Sequence, residues 1–293
     1  MEMKKLLFAL PLIVVSIVWT SWNKPVQQRS MINKDEIISC MNMETIEAYL
    51  QEASTPAFAN MHPASKMPSQ EALVGTMIKY KTADGMEANA YFIPSKKKSK
   101  KWLIVIQEWW GLNENIKHEA DKYSKDLPDM NVLAVDMFDG KVAATPDSAS
   151  KLMRAANMDR MTSIIRGAIT LAGDKSSIYT VGWCFGGMWS LQTAILAGTH
   201  AKGTVMFYGR PESNMEKLQS IKCDVIGFFG NLDRSPSPAM VTEFENNMKA
   251  AGKNLVTHKY EAGHGFANPS NPSYKADAAA DSYTKAIAFL KAH

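Results

Sequence analysis

A cysteine set between glycines carries the first chemical signal in the sequence. Cys184 lies in the stretch Gly-Trp-Cys-Phe-Gly-Gly, so that Gly182 and Gly186 stand two residues before it and two residues after it. A strand-like apolar run precedes this stretch and a helix-like run follows it, which is the setting of the G-x-S-x-G nucleophile elbow. A helix N-terminus also favours an ionised thiol. We expect Cys184 to be a nucleophile; an inert buried cysteine beside an ordinary turn is the alternative.

An aspartate and a histidine follow Cys184 in an order known from catalytic triads, with nucleophile, acid and histidine in sequence. Asp233 comes just after one predicted strand, and His264 follows the next one between two glycines. In such a triad His264 would accept the thiol proton, while Asp233 would fix the imidazole tautomer and stabilise the imidazolium. Taken singly, Asp233 is typical of a turn and His264 of a loop. Their order and their positions at strand ends favour a triad.

The remaining histidines have no comparable setting, and none of them forms an H-x-x-x-H pair; they are His62, His118, His200, His258 and His293. Without a C-x-x-C motif either, the sequence predicts neither a metal site nor an organic cofactor. A soft-metal site is conceivable where His62 lies in a methionine-rich stretch with Met41, Met43, Met61 and Met67. The irregular spacing there favours adaptable packing instead.

Strands alternate with helices from residue 72 onward. Short apolar runs predict strands over 72–80, 86–93, 102–107, 131–136, 178–182, 203–208, 224–229 and 256–260. Helical patterns fall over 115–127, 187–197, 238–251 and 276–292, with two more inside 146–172. This alternation predicts an α/β fold with a mostly parallel central sheet and helices on both faces. In such sheets ligands bind outside the carboxyl ends of the strands, where Cys184, Asp233 and His264 are expected.

The chain resembles the dienelactone hydrolase family (carboxymethylenebutenolidases), which has the α/β-hydrolase fold, over about residues 72–290. The motifs that carry the resemblance are Gln107-Glu108 with Gly111, Gly182-x-Cys184-x-Gly186-Gly187, Gly230-x-x-Asp233 and His264-Gly265-Phe266. The resemblance implies Cys184, Asp233 and His264 as the triad.

The same resemblance assigns a role to Glu108. In the family the matching glutamate holds the thiol at rest and swings away when substrate binds, so that the thiolate–imidazolium pair forms only in the complex. The oxyanion hole would consist of the backbone N–H groups of Phe185 and Trp109.

Two departures from the family pattern bear on the substrate. Trp109 and Trp110 replace a smaller apolar pair, which predicts an aromatic wall for a pocket that would also include Trp183 and Tyr208. Family members that act on dienelactone hold its carboxylate with arginines. The sequence does not assign this role to any one of the four candidates available here, which are Arg154, Arg160, Arg166 and Arg210.

We therefore expect a hydrolase of small carboxylic esters or lactones that proceeds through an acyl-thioester on Cys184. An exported, non-catalytic ligand-binding protein on the same fold is the alternative. A protease or acyltransferase built on the same elbow is a third possibility, because loops select the acyl acceptor and the leaving group.

The charge distribution argues against nucleic acid as a partner. The net charge of +4 comes mostly from residues 1–30, where four basic residues face Glu2, which leaves 29 basic and 28 acidic residues, or +1, for the rest. Residues after position 30 therefore lack the excess of positive charge that binds a polynucleotide.

The first 23 residues are typical of a secretory signal peptide, since a short basic start precedes an apolar run that ends near Trp19. An uncleaved N-terminal anchor is the alternative, and only through it would the protein contact a membrane. We expect export, and in that case Cys40 and Cys223 are candidates for a disulfide.

Residues 24–70 form an N-terminal arm with one predicted helix over 43–53, and residues 71–293 form the hydrolase-like domain. The lysine-rich stretch 96–101 is typical of a solvated loop, although a phosphate or lipid patch is conceivable. The oligomeric state is not readable from the sequence.

Overall fold

The computed structural model describes residues 44–62 and 72–293, and within them eight strands form one sheet. The strands are β1 Thr76–Lys81, β2 Glu87–Ile93, β3 Lys101–Ile106, β4 Asn131–Val135, β5 Ser177–Trp183, β6 Ala201–Phe207, β7 Asp224–Gly230 and β8 Leu255–Tyr260. Their spatial order is β1-β2-β4-β3-β5-β6-β7-β8. β2 pairs antiparallel with β1 and with β4, and the other five pairings are parallel. The predicted mostly parallel sheet is confirmed.

Nine α-helices accompany the sheet in the described residues: α1 Glu44–Ala53, α2 Pro56–Met61, α3 Glu114–Asp126, α4 Pro146–Arg154, α5 Met158–Ala172, α6 Phe185–Ala197, α7 Met215–Ser220, α8 Pro238–Ala250 and α9 Ala276–Ala292. Side chains cap several of these helices at their N-termini. The Asn113 side chain accepts the Ile116 N–H at 3.2 Å, and Ser237 accepts the Met240 N–H at 3.4 Å. These caps satisfy backbone donors that a helix leaves unpaired at its N-terminus.

The central strands are buried along nearly their whole length. All five residues of β4 are buried, and β7 is buried after Asp224. Because successive side chains of a strand point to opposite faces, burial without alternation means that both faces of the sheet are covered. Because both faces of the sheet are buried, these strands appear in the sequence as continuous apolar runs.

The carboxyl ends of four strands bring the predicted chemical residues to one edge of the sheet. Glu108 follows β3, Cys184 follows β5, Asp233 follows β7 and His264 follows β8. Parallel strands end at the same edge, so residues that are far apart in the chain meet there.

The N-terminal arm contains two helices where the sequence predicted one. The second helix, α2, was missed because Pro56 was interpreted as a break in the chain. Proline is tolerated in the first turn of a helix, where its missing N–H has no partner to lose. Thr55 completes the start of α2 by accepting the Phe58 N–H at 3.2 Å.

Polar contacts attach α1 to the hydrolase domain. The Thr45 hydroxyl donates to the Glu212 carboxylate at 2.6 Å, and Glu212 also pairs with Lys217 at 3.2 Å in a fully buried ion pair. Nearby, Arg210 pairs with Glu52 at 2.5 Å. The arm is therefore joined to the loop that follows β6.

Several predictions lie outside the described residues, among them the leader over 1–23, Cys40 as a disulfide partner and the three methionines Met41, Met43 and Met67. Among the helices that the structure describes, none is long and apolar enough to cross a membrane. Lys96, Lys97, Lys98 and Lys100 are exposed in the loop before β3, as the predicted solvated loop requires.

Candidate active site

Cys184 occupies a strained turn between a strand and a helix. It lies directly after β5 and directly before α6, which starts two residues earlier than the sequence predicted. Its backbone has φ 55° and ψ −118°, in the region that L-residues rarely adopt. Backbone strain of this kind clusters at functional sites, where the surrounding structure maintains it. The turn is held partly by the Cys184 N–H, which donates to the Phe207 carbonyl at 2.9 Å.

The two glycines of the motif are required by close backbone approach. A Cβ at Gly186 would collide with the carbonyl oxygens of Ile106 and Gln107, and a Cβ at Gly182 would collide with the Gly186 carbonyl. Side chains at either position would therefore push α6 away from β3 and β5.

His264 and Asp233 form a buried hydrogen-bonded pair. The Nδ1 of His264 lies 2.7 Å from the Asp233 carboxylate, whose other oxygen accepts the Ser235 N–H at 2.9 Å. Because Nδ1 faces a carboxylate, it must carry a proton, which leaves Nε2 as the nitrogen that faces the thiol.

The thiol and the imidazole stand close enough to exchange a proton after a small adjustment. A ring nitrogen of His264 lies within 4.8 Å of Sγ of Cys184. Burial disfavours a charged imidazole, but the charges of Asp233 and Cys184 outweigh this and raise the pKa of His264 well above its ordinary value. The geometry and the charges together favour a protonated imidazole beside the thiol.

Glu108 is buried near this pair but has other partners. Its carboxylate accepts the Asn268 side-chain N–H at 2.6 Å and the Tyr208 hydroxyl at 3.4 Å. Burial raises its pKa to about 7, against the charge of His264 and the hydrogen bonds from Asn268 and Tyr208. The resemblance implies that Glu108 holds the resting thiol; in the structure the hydroxyl of Tyr49 takes that position, 3.3 Å from the Cys184 Sγ.

Two residues of the N-terminal arm belong to this site, and the sequence analysis missed both. Tyr49 of α1 reaches the thiol, and the ring of His62 lies edge-on to the ring of His264 with centroids 4.6 Å apart. His62 has no strand-end setting like that of His264, and only the folded arm brings its ring to the site. The apolar face of α1, which includes Ile46, indicated burial, but a helical pattern does not say which surface covers it.

A match to a protein-family model shows which family the chain belongs to. The model of the dienelactone hydrolase family matches residues 88–293. The chain belongs to this family. Membership supports a hydrolase function for the protein.

The relatives of this family member are distant in sequence. "Protein usf" of Aquifex pyrophilus is 25% identical over 231 residues, covering 74% of this chain and 98% of that protein. A "Putative carboxymethylenebutenolidase" of Saccharolobus solfataricus is 25% identical over 249 residues, covering 71% and 95%. The solved structure of a "Putative Dienelactone Hydrolase" from Klebsiella pneumoniae has a TM-score of 0.67 at 19% identity, covering 76% of this chain and all of that one, and supports the α/β-hydrolase fold.

In this dienelactone hydrolase family member the predicted oxyanion donors sit at two element ends. Phe185 is the first residue of α6, so its N–H has no partner within the helix. Trp109 lies two positions beyond Gln107 after β3, and its side chain is fully buried. Phe185 directly follows Cys184, and Trp109 follows the end of β3, where the Ile106 and Gln107 carbonyls approach Gly186.

The four predicted pocket aromatics have different environments. Trp109 packs against Trp110 and against His62, with centroids 4.9 Å apart in both cases. The ring of Tyr208 lies edge-on to His264 at 5.0 Å, on a backbone with φ 37°. Trp183 stacks on Phe207 and borders a narrow crevice beside Glu108 and Asn268.

Three of the four candidate arginines have partners away from the thiol. Arg160 pairs with Asp84 and Asp139, at 3.0 and 2.6 Å. Arg154 donates to the Ser54 carbonyl at 2.9 Å, and Arg210 pairs with Glu52 of α1. These contacts give the arginines a role in attaching surface elements to one another.

Proposed function

We propose that this protein hydrolyses small carboxylic esters or lactones through a Cys184–His264–Asp233 triad and an acyl-thioester intermediate. The observation that carries the proposal is the strained turn, which presents the Cys184 thiol to an imidazole that a buried carboxylate already orients. Family membership supports hydrolysis, and the choice of ester or lactone rests on the chemistry of a thiol nucleophile.

The first half of the reaction forms the thioester. His264 accepts the thiol proton through Nε2 and the thiolate attacks the substrate carbonyl carbon, while Asp233 stabilises the imidazolium through Nδ1. The negative charge of the tetrahedral intermediate is stabilised by the backbone N–H groups of Phe185 and Trp109 and by the positive end of α6. The imidazolium then protonates the leaving alkoxide, and the alcohol departs.

The second half regenerates the thiol. His264 takes a proton from a water molecule, and the resulting hydroxide attacks the thioester carbonyl. The tetrahedral intermediate collapses to a carboxylic acid, and the thiolate leaves and is reprotonated by the imidazolium. Each proton removed at Nε2 is returned, so the imidazole is unchanged after a full cycle.

The surroundings favour a compact substrate with little charge. Cys184 is only 2% exposed, and the rings of His62, Trp109 and Tyr208 gather around His264 or its neighbours. Glu108, whose pKa burial raises to about 7, accepts hydrogen bonds from Tyr208 and Asn268 beside this aromatic cluster. A small ester or lactone fits such an environment better than a polypeptide or a polyanion.

Hydrolysis of p-nitrophenyl acetate and of dienelactone by the full-length chain tests the proposal, with Cys184→Ala and His264→Ala as the informative variants. We expect turnover by the wild type and a loss of about 10³-fold or more in each variant, as for other triads. Cys223→Ser is the matched control, since Cys223 lies away from the site and bonds Thr204 at 3.6 Å. Turnover that survives in Cys184→Ala, or no turnover of either substrate by folded wild type, overturns the proposal.

A further inference from the structure

Three potential metal ligands converge where the arm meets the hydrolase domain. His62 of the arm, Cys184 of the elbow and His264 each place one ligand atom within 4.8 Å of the other two. The sequence predicts no metal site because it has no H-x-x-x-H or C-x-x-C motif, and these three residues are separated by 122 and 80 positions in the chain. Only the folded arm brings His62 to the thiol.

Both imidazoles are held in the tautomer that suits a metal ligand. His62 Nδ1 lies 2.7 Å from the Phe58 carbonyl, and His264 Nδ1 lies 2.7 Å from the Asp233 carboxylate. Each acceptor requires a proton on Nδ1, which leaves Nε2 as the nitrogen available to a metal once the proton shared with the thiol has gone to solvent. Metal-bound histidines show this arrangement, in which a carbonyl or carboxylate orients the ring through its second nitrogen.

The two Nε2 atoms are buried without a hydrogen-bond partner among the described residues. His62 is 4% exposed, and the side chain of His264 is 9% exposed. A buried acceptor without a partner costs about 1–3 kcal/mol, so two of them beside one thiol need an explanation. A cation bound between them would satisfy both.

We propose that His62 Nε2, Cys184 Sγ and His264 Nε2 form a binding site for one Zn²⁺ ion, with water as the fourth ligand. Imidazole and thiolate are the donors that Zn²⁺ prefers, whereas Mg²⁺ and Ca²⁺ require oxygen. In a tetrahedral site with Zn–N about 2.0 Å and Zn–S about 2.3 Å, ligand atoms stand about 3.5 Å apart. The three atoms must therefore approach one another by at most about 1.3 Å, from 4.8 Å.

Zinc binding has a defined proton balance. The thiol and His264 share one proton, which goes to solvent when Sγ and Nε2 bind the ion, while His62 binds without losing a proton. Tyr49, 3.3 Å from Sγ, continues to donate a hydrogen bond to the coordinated thiolate. The ion thereby occupies both the nucleophile and the base of the proposed reaction, so that zinc-loaded protein is inactive until a chelator removes the metal.

Cobalt(II) titration of the metal-free, full-length chain tests the site, because a cobalt–thiolate bond produces a charge-transfer absorption in the near ultraviolet. We expect this band to saturate at one equivalent, to disappear with excess Zn²⁺ and to be lost in Cys184→Ser. His62→Ala should weaken cobalt binding at least about 10-fold. Two matched controls should bind as the wild type does: Cys223→Ser, and His200→Ala, whose Nδ1 also faces a backbone carbonyl at 3.1 Å.

The proposal is overturned if the wild type shows no saturable band, if the band survives in Cys184→Ser, or if folded His62→Ala binds cobalt as tightly as the wild type. Circular dichroism confirms folding, and His62→Gln, which retains polarity and approximate volume, serves if the alanine variant unfolds. The outcome is independent of the proposed function, because hydrolysis is measured separately in the presence of a chelator. Ester hydrolysis without cobalt binding rejects the metal site alone, and cobalt binding without hydrolysis rejects the enzyme alone.

Discussion

The hydrogen bond between His264 and Asp233 is the residue-scale feature on which the proposed chemistry depends most. Asp233→Asn keeps the shape of the side chain but offers an amide to Nδ1, which favours the wrong tautomer. We expect kcat for p-nitrophenyl acetate to fall by about 10³–10⁴-fold with little change in stability. Asp224→Asn is the matched control, since Asp224 pairs with His293 at 3.1 Å on the surface and should leave kcat unchanged. Equal rates for both variants would contradict the role of Asp233.

Glu108 should make the stability of the protein depend on pH. Burial raises its pKa from an ordinary 4.5 to about 7, so the folded protein binds a proton between these pH values that the unfolded chain releases. Stability must therefore fall as the pH rises through this window, by about 3 kcal/mol in total. Urea unfolding at pH 5 and pH 8 should show this loss in the wild type and a smaller one in Glu108→Gln. The exposed Glu243→Gln is the control, and a pH dependence identical in all three would refute the argument.

The elbow is the element-scale feature that makes the strained cysteine possible. In Gly186→Ala the added methyl group would overlap the Ile106 and Gln107 carbonyl oxygens, which belong to the end of β3 and cannot move aside. We expect the free energy of unfolding to drop by about 3 kcal/mol or more, with loss of hydrolysis. Gly263→Ala should cost little stability, because the nearest atom to its new methyl group is 3.8 Å away. A similar midpoint of thermal unfolding for the two variants would count against close packing at the elbow.

The arm helices cover the thiol, and their docking should control its reactivity. Ile46 of α1 is fully buried, and Ile46→Ala removes about 2–4 kcal/mol of packing from this helix. We expect iodoacetamide to label Cys184 at least about 10-fold faster as the arm opens locally. Labelling of Cys223, measured on its own peptide by mass spectrometry, is the internal reference, and exposed Glu47→Ala is the matched variant. An unchanged ratio of the two labels in Ile46→Ala would mean that the arm does not shield the thiol.

The strands and most helices were predictable because their signals are local. The run of residues 131–136 has to be a strand buried on both faces, and the turn at Gly85 with φ 82° needs a residue without a side chain. Two short helices, α2 and α7, escaped prediction. In α2 the start signals, Thr55 and Pro56, resemble those of a turn, and six residues are too few for a clear helical period.

At the scale of the whole molecule, the sequence located the chemistry that strand ends bring together but not the chemistry that the arm adds. Cys184, Asp233 and His264 were predictable because a parallel sheet gathers strand ends at one edge. Tyr49 stands 135 residues before Cys184 and reaches it only because α1 docks through Glu212 and Arg210. A contact of that range depends on the shape of both surfaces, which no local pattern in one sequence encodes.

Because the domain and the arm contribute different residues to the site, both bear on which substrate it accepts. The hydrolase domain contributes the proposed triad and the proposed oxyanion donors, whereas the arm brings Tyr49 to Cys184 and His62 to His264. In the family, the glutamate that matches Glu108 lies beside the thiol before substrate binds. In this protein the Tyr49 hydroxyl lies there. We therefore expect the arm to take part in the environment of the reacting carbonyl, because Tyr49 and His62 lie beside Cys184 and His264.

The central claim is that Cys184 becomes acylated, and peptide mass spectrometry of the acid-quenched protein tests it most directly. Full-length protein is mixed with p-nitrophenyl acetate, quenched with acid within one turnover and digested. We predict a single added acetyl group on the peptide that contains Cys184, cleaved by neutral hydroxylamine and absent from Cys184→Ala. Acetylation of another residue, or rapid hydrolysis with no acetyl group on Cys184 at any quench time, would contradict the account.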